Sequence, residues 1–162
     1  MNLILRQLQP NDLKYFAQWW QDEELIKYTS GNFEELSDEQ IKKYFEAMLN
    51  SKKDYHWMIE TEGQTIGHVN LSKRNIWYET QIIIGEKEFW NKGYGSAAIK
   101  QIVQKASELN INHIYLEVRP ENLRAIRAYE KAGFTKIKTI KYPDNPNLPE
   151  TIRMEYLKSS YQ

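Results

Sequence analysis

The chain contains no cysteine. Disulfides, thiolate-ligated metals and cysteine nucleophiles are therefore excluded, and the composition is compatible with a reducing compartment. It has no basic excess either: 22 Lys+Arg offset 22 Asp+Glu, for a formal net charge of zero. Nucleic-acid binding, which draws on surplus cations, falls in rank. No apolar run is long enough to span a membrane, and the start, MNLILRQLQPNDL, has too short an apolar run for a secretory leader. A cytoplasmic protein, with neither nucleic acid nor membrane as partner, is the expectation. No repeat, low-complexity tract or Gly/Ser linker interrupts the 162 residues, so 1–162 reads as one domain with a real core. No His/Glu cluster has metal-ligand spacing, and no metal is expected.

What is present is a change of period along the chain. Leu3 to Leu8 reads as a strand. Pro10-Asn11-Asp12 opens a helix carrying Leu13, Phe16, Ala17 and Trp20 on one face. A short helical piece covers Glu23 to Tyr28, and Ser30-Gly31-Asn32 breaks it. Ser37 with Gln40 forms a capping box for a helix bearing Ile41, Tyr44, Phe45 and Met48. Tyr55 to Thr61, Thr65 to Ser72 and Trp77 to Ile84 read as strands, too close in sequence for crossovers and so an antiparallel meander. Ala98, Ile99, Ile102, Val103, Ala106 and Leu109 then mark a buried helix face ended by Asn110. HIYLEV is a strand, Asn122 caps a helix ending at Gly133, and Phe134 to Tyr142 and Thr151 to Leu157 complete the sheet. With the short helical piece left out, the order is β-α-α-β-β-β-α-β-α-β-β. This describes an α/β (α+β) fold with a mixed sheet and helices on both faces.

Chemistry is concentrated where the strand Ile82-Ile83-Ile84 stops at Gly85 and Lys92-Gly93-Tyr94-Gly95 leads into a helix. Glycine between strand and helix lets backbone approach a ligand. The first turn of a helix offers unpaired N–H groups at a partially positive dipole end, which suits phosphate. A second stretch is NLRAIRAYEKAGF, Asn122 to Phe134. Asn122 and Tyr129 are nearly two turns apart, with Ala125 between them on the same stripe, a surface over which an extended chain can lie.

Together, EFWNKGYGSAAI and NLRAIRAYEKAGF resemble the GNAT superfamily of N-acetyltransferases, which use acetyl-CoA. The resemblance covers nearly the whole chain. It implies that Lys92, Gly93, Tyr94, Gly95 and Ser96 hold phosphates. It also places Ile82, Ile83, Ile84, Asn122 and Ala125 along the cofactor, with Tyr129 protonating the departing thiolate. Where the family often has Gln or Arg three residues before the first glycine, this chain has Trp90, so backbone N–H groups do most of the cradling. Acyl transfer to an amine needs held reactants, a deprotonated amine, oxyanion donors and an acid for the thiolate. Backbone near Ile83 is the expected oxyanion donor. With no cysteine, direct attack in a ternary complex is the simplest route.

Glu79 leads the candidates for general base, on a strand face shared with Gln81 and Ile83; His68 and Glu117 are the others. His56 and His113 read as structural. Acidic residues from Asp22 to Glu46, interleaved with Trp19, Trp20, Tyr28 and Phe33, suit a cationic small-molecule or peptide amine, and residues 143–149 its far wall. Similarity extends to ribosomal-protein N-terminal acetyltransferases and to aminoglycoside 6′-N-acetyltransferases. A monomer or homodimer is expected. Two other readings stand beside these. GYGSAA with Glu117 fits a nicotinamide-dinucleotide fingerprint of an oxidoreductase, and a non-catalytic acyl-CoA-binding module could keep the same fold.

Overall fold

The computed structural model describes residues 1–29 and 34–158. The expected break at Ser30-Gly31-Asn32, together with Phe33, lies outside the described residues. In chain order the elements are β1 (Leu3–Gln7), α1 (Leu13–Trp19), α2 (Glu23–Tyr28), α3 (Asp38–Asn50), β2 (Tyr55–Thr61), β3 (Gln64–Arg74), β4 (Trp77–Glu79) and β5 (Ile82–Ile84). They continue with α4 (Tyr94–Glu108), β6 (His113–Val118), α5 (Leu123–Lys131), β7 (Thr135–Lys141) and β8 (Glu150–Leu157). The strands form one mixed sheet in the order β1-β2-β3-β4-β6-β8-β7, with β5 also paired to β3. Among the described residues only β4 and β6 run parallel.

Local chemistry accounts for most boundaries. Ser37 and Gln40 exchange bonds as the capping box of α3. Glu62 and Gly63, at φ 51° and 78°, turn β2 into β3 as the two positive-φ residues of a tight hairpin. Asn110, at φ 58°, stops α4. Ala98, Ile99, Ile102 and Ala106 of α4 are buried against Val69, Leu71 and Ile114 of the sheet. On the opposite face Phe16, Trp19, Leu25, Phe45 and Met58 form a second core. The buried tryptophan of α1 is Trp19, not the expected Trp20, because its ring lies on Gly85. Asp12 is buried before α1, where Arg6 grips both of its carboxylate oxygens and Gln9 N–H donates to it.

Two departures from the expected order matter for the site. Glu23–Tyr28 is a full element of its own, capped by the Asp22 carboxylate accepting Leu25 N–H. The expected strand from Trp77 to Ile84 is cut in two at Thr80-Gln81. There Thr80 N–H bonds the Tyr115 carbonyl, while the Asn70 side chain takes Gln81 N–H. β6 follows β4 only at Tyr78↔Ile114 and Glu79↔Tyr115 and then diverges. A gap opens between β5 and β6.

Candidate active site

Among the described residues β5 pairs with β3 alone, in the register Gly67↔Ile84, His68↔Ile83 and Val69↔Ile82. The backbone bonds that flank it are Asn70 N–H to Gln81 O and Gly85 N–H to Ile66 O. In an antiparallel ladder bonded pairs alternate with non-bonded ones. Odd-numbered residues of this stretch therefore face β3, and even-numbered ones face the gap. Thr80 N–H, which reaches β6, has the same polarity. The outward donors are thus those of Ile82 and Ile84, so the donor expected near Ile83 belongs to its two neighbours. Gly67 permits this strand to sit where it does: a Cβ there would lie 2.2 Å from Ile83 O.

The chain after β5 is tied down from both sides. Trp19 packs on Gly85 and donates its indole N–H to Glu86. Trp90 donates its indole N–H to Ile84 O at 2.7 Å and meets Tyr28 edge-on. The residue that departs from the family's pattern thus braces the corner. Gly93 then caps α4 at φ 88°, a left-handed conformation that disfavours side chains. A Cβ on Gly95 would meet nothing within 4 Å, so backbone here faces open space.

That space is a cavity of about 750 Å³, and it gathers most of the expected residues. Ile82, Ile83 and Ile84 line it from β5; Gly93, Tyr94, Gly95 and Ser96 from the head of α4; Asn122, Ala125 and Tyr129 from α5. Asn122 caps α5 by accepting Ala125 N–H, which leaves its amide NH2 for other use. Tyr129 is half-buried beside Phe134, and its hydroxyl makes no hydrogen bond among the described residues. Burial raises its pKa above the usual phenol value, so it stays protonated through neutral pH. A protonated phenol with no internal partner can donate to a ligand.

Lys92 is not brought into the cavity; its ammonium lies over the Phe89 ring, 5.9 Å from the centroid. Glu79 does not line it either. Its carboxylate sits 3.4 Å from Arg74, across the ladder from Ser72. Glu117 is held by the hydroxyls of Tyr142 and Thr151. Of the acidic segment, Asp22 and Glu24 are paired with Lys87. Residues 143–149 do supply a wall through Asn147, whose carbonyl accepts from Arg119. Arg119 also bonds Lys27 O, and so ties the end of α2 to that loop. Arg119 and the hydrogen-bonded pair Arg124 and Asn91 were not legible as site residues. They lie far apart in sequence, and nothing in the sequence signals that they meet.

A second cavity, about 350 Å³, lies under α1–α3 on the sheet face opposite α4. It is lined by His56, His68, Asn70, Ser72 and Gln81 below and by Phe16, Trp19 and Trp20 above. Ile83 borders both cavities. The dinucleotide reading does not hold in this setting. The strand before the glycine corner is antiparallel to its only neighbour, and Glu117 is engaged by hydroxyls.

Comparison with known proteins agrees with the geometry. The acetyltransferase (GNAT) domain matches residues 2–135. Aminoglycoside N(6′)-acetyltransferase type 1 of Klebsiella pneumoniae is 25% identical over 161 residues, covering 90% of this chain and 80% of its own length. Spermidine N(1)-acetyltransferase of Escherichia coli strain K12 is 30% identical over 139 residues, covering 81% of this chain and 72% of its own length. The structure of spermidine N-acetyltransferase from Vibrio cholerae in complex with CoA and spermine superposes with a TM-score of 0.85 at 26% identity, covering 98% of this chain and 97% of that one. An open strand edge, a glycine-capped helix head and a half-buried phenol share one cavity, and the domain match runs over most of the chain; the protein belongs to the GNAT family of acetyl-CoA-dependent acetyltransferases.

Proposed function

We propose that this enzyme transfers acetyl from acetyl-CoA to a primary amine of a small polycation, of the polyamine or aminoglycoside class. The observation that carries the reading is that Tyr129 lines the same cavity as the unpaired edge of β5 and the head of α4. The residues present fit the cosubstrate. The N–H groups of Tyr94, Gly95 and Ser96, at the positive end of the α4 dipole, suit a diphosphate, and the open space at Gly95 leaves it room. Arg124, close to the helix head, adds the cation that Lys92 does not bring. Ile82, Ile84 and the Asn122 amide offer polar groups to the amide-bearing arm. Acetyl-CoA supplies an acetyl group activated as a thioester.

The chain's part in the reaction follows. Its cavity walls hold amine and thioester together, which is worth several kcal/mol, about 7 or more at best. An outward N–H of β5 stabilises the negative charge that develops on the carbonyl oxygen. The neutral amine nitrogen forms the new C–N bond, the C–S bond breaks, Tyr129 gives its proton to the departing sulfur, and the proton shed by the acylated nitrogen restores the phenol. The relatives named for spermidine and aminoglycosides support a cationic acceptor.

The test is thiol release from acetyl-CoA with spermidine, an aminoglycoside and an N-terminal peptide as separate acceptors. Turnover with either polycation above the peptide is the expected result. Absence of thiol release with all three would leave an acyl-CoA-binding module and sink the proposal.

A further inference from the structure

Trp90 lines the Tyr129 cavity, and the mechanism above gives it no part. In an extended strand the N–H and C=O of one residue point to the same side. Ile84, like Ile82, therefore turns both groups toward the gap between β5 and β6. The Trp90 indole donates to Ile84 O at 2.7 Å, so that carbonyl is already engaged. The bond is held from both ends. Trp90 N–H donates to Lys87 O, and the ring meets Tyr28 edge-on with centroids 5.5 Å apart. Arg119 grips the chain on either side of Tyr28, through Lys27 O and Thr29 O. The N–H groups of Gly85 and Glu86 both donate to Ile66 O, which pins the end of β5. The free edge of β5 thus keeps donors at Ile82 and Ile84 but, among the described residues, an acceptor at Ile82 O alone.

An amide-bearing arm can pair with a strand edge in more than one register, because the edge repeats its donors and acceptors every second residue. One repeat is about 6.6 Å. A thioester displaced that far is out of reach, when a misplacement of about 1 Å can already cost ~10²-fold. The head of α4 follows β5 in the chain, so the diphosphate end of the cosubstrate lies beyond Ile84 and its acetyl end lies toward Ile82. We propose that Trp90 is a positioning residue that sets the register of the acyl carrier on β5. By filling Ile84 O it denies the outer acceptor to the N–H groups of the arm. Ile82 O is left to accept from the arm, Ile84 N–H to donate to an arm carbonyl, and Ile82 N–H to donate to the acetyl oxygen. This rests on the acetyl-transfer reading. Trp90 touches no reacting atom; it acts through the carbonyl that it takes out of competition.

The experiment compares wild type with Trp90→Phe, which removes the donor and keeps an aromatic ring. Thiol release is followed with acetyl-CoA varied at saturating polycation, and CoA affinity is measured by calorimetry. Freeing Ile84 O gives the arm a second, non-productive site, and non-productive binding lowers kcat and KM together. The expected result is a fall of roughly 3- to 10-fold in both constants for acetyl-CoA, with kcat/KM unchanged and the CoA Kd no weaker. In wild type the Trp90 indole N–H, assigned by NMR through its own side-chain correlations, should stay protected from solvent exchange when CoA binds. A lower kcat/KM with a weaker Kd marks a brace alone and overturns the register role, as do unchanged constants. So does an indole N–H that CoA binding releases to solvent, a result read on wild type whether or not Trp90→Phe folds. A wild type that neither binds CoA nor releases thiol overturns the underlying acetyl-transfer reading instead.

Discussion

Tyr129 and Gly95 carry opposite kinds of information about the site. Tyr129 is the proposed acid, so Tyr129→Phe is expected to lower kcat by ~10²–10⁴-fold while leaving acetyl-CoA affinity alone. Initial rates and calorimetry check this. Because burial raises its pKa, loss of the acid at high pH should set in above the usual phenol range. Gly95 is space held open, since an added Cβ meets nothing within 4 Å. Gly95→Val should therefore weaken acetyl-CoA binding sharply while the unliganded melting temperature changes little. Both residues were legible in the sequence because motif and spacing place them. Lys92 and Glu79 were named on the same footing, yet their side chains go to Phe89 and Arg74. Spacing along a chain fixes where Cα atoms fall, not which neighbour captures a long, charged side chain.

Among elements, β5 decides most. Alternation predicts that the amides of Ile82 and Ile84 exchange quickly in the free protein and become protected when acetyl-CoA binds, whereas Ile83 is protected in both states. Hydrogen exchange read by NMR distinguishes the three, and equal protection of Ile82 and Ile83 without ligand would refute the register argument. The strand's position also depends on Gly67. Gly67→Ala would press a Cβ to 2.2 Å from Ile83 O, so a loss of roughly 2 kcal/mol or more is expected by urea denaturation, with turnover reduced. The sequence showed one strand from Trp77 to Ile84 because no glycine, proline or other turn signal interrupts it. The cut comes from Asn70, distant in sequence, whose side chain replaces a ladder bond. Capping signals were more dependable: Ser37, Asn122 and Asn110 act within a few residues of themselves, so the ends of α3, α4 and α5 could be read directly.

At the scale of the whole molecule the sheet has two faces of different character, an apolar one under α4 and one under α1–α3 that buries His68, Asn70 and Ser72. The second face makes stability sensitive to acid. His68 has its folded pKa pushed down to about 3. The unfolded chain therefore binds the extra proton first, and stability declines as pH falls below the ordinary histidine value of about 6.5, by up to about 1.4 kcal/mol per pH unit. Urea midpoints at pH 7 and 4.5 should converge in His68→Gln relative to wild type. The fold class and the shared cavity were legible because periodicity and two motifs span the chain. The second cavity was not, since its polar floor looks like ordinary strand alternation until three helices are laid over it. One further consequence concerns β5, which has a neighbour on one side only. Its cosubstrate would dock there as a temporary ribbon, finishing a wall that the polypeptide leaves half built. An acceptor arriving early finds nothing to react with, so steady-state kinetics should be ordered: acetyl-CoA on first, CoA off last, and product CoA competing with acetyl-CoA but not with the amine.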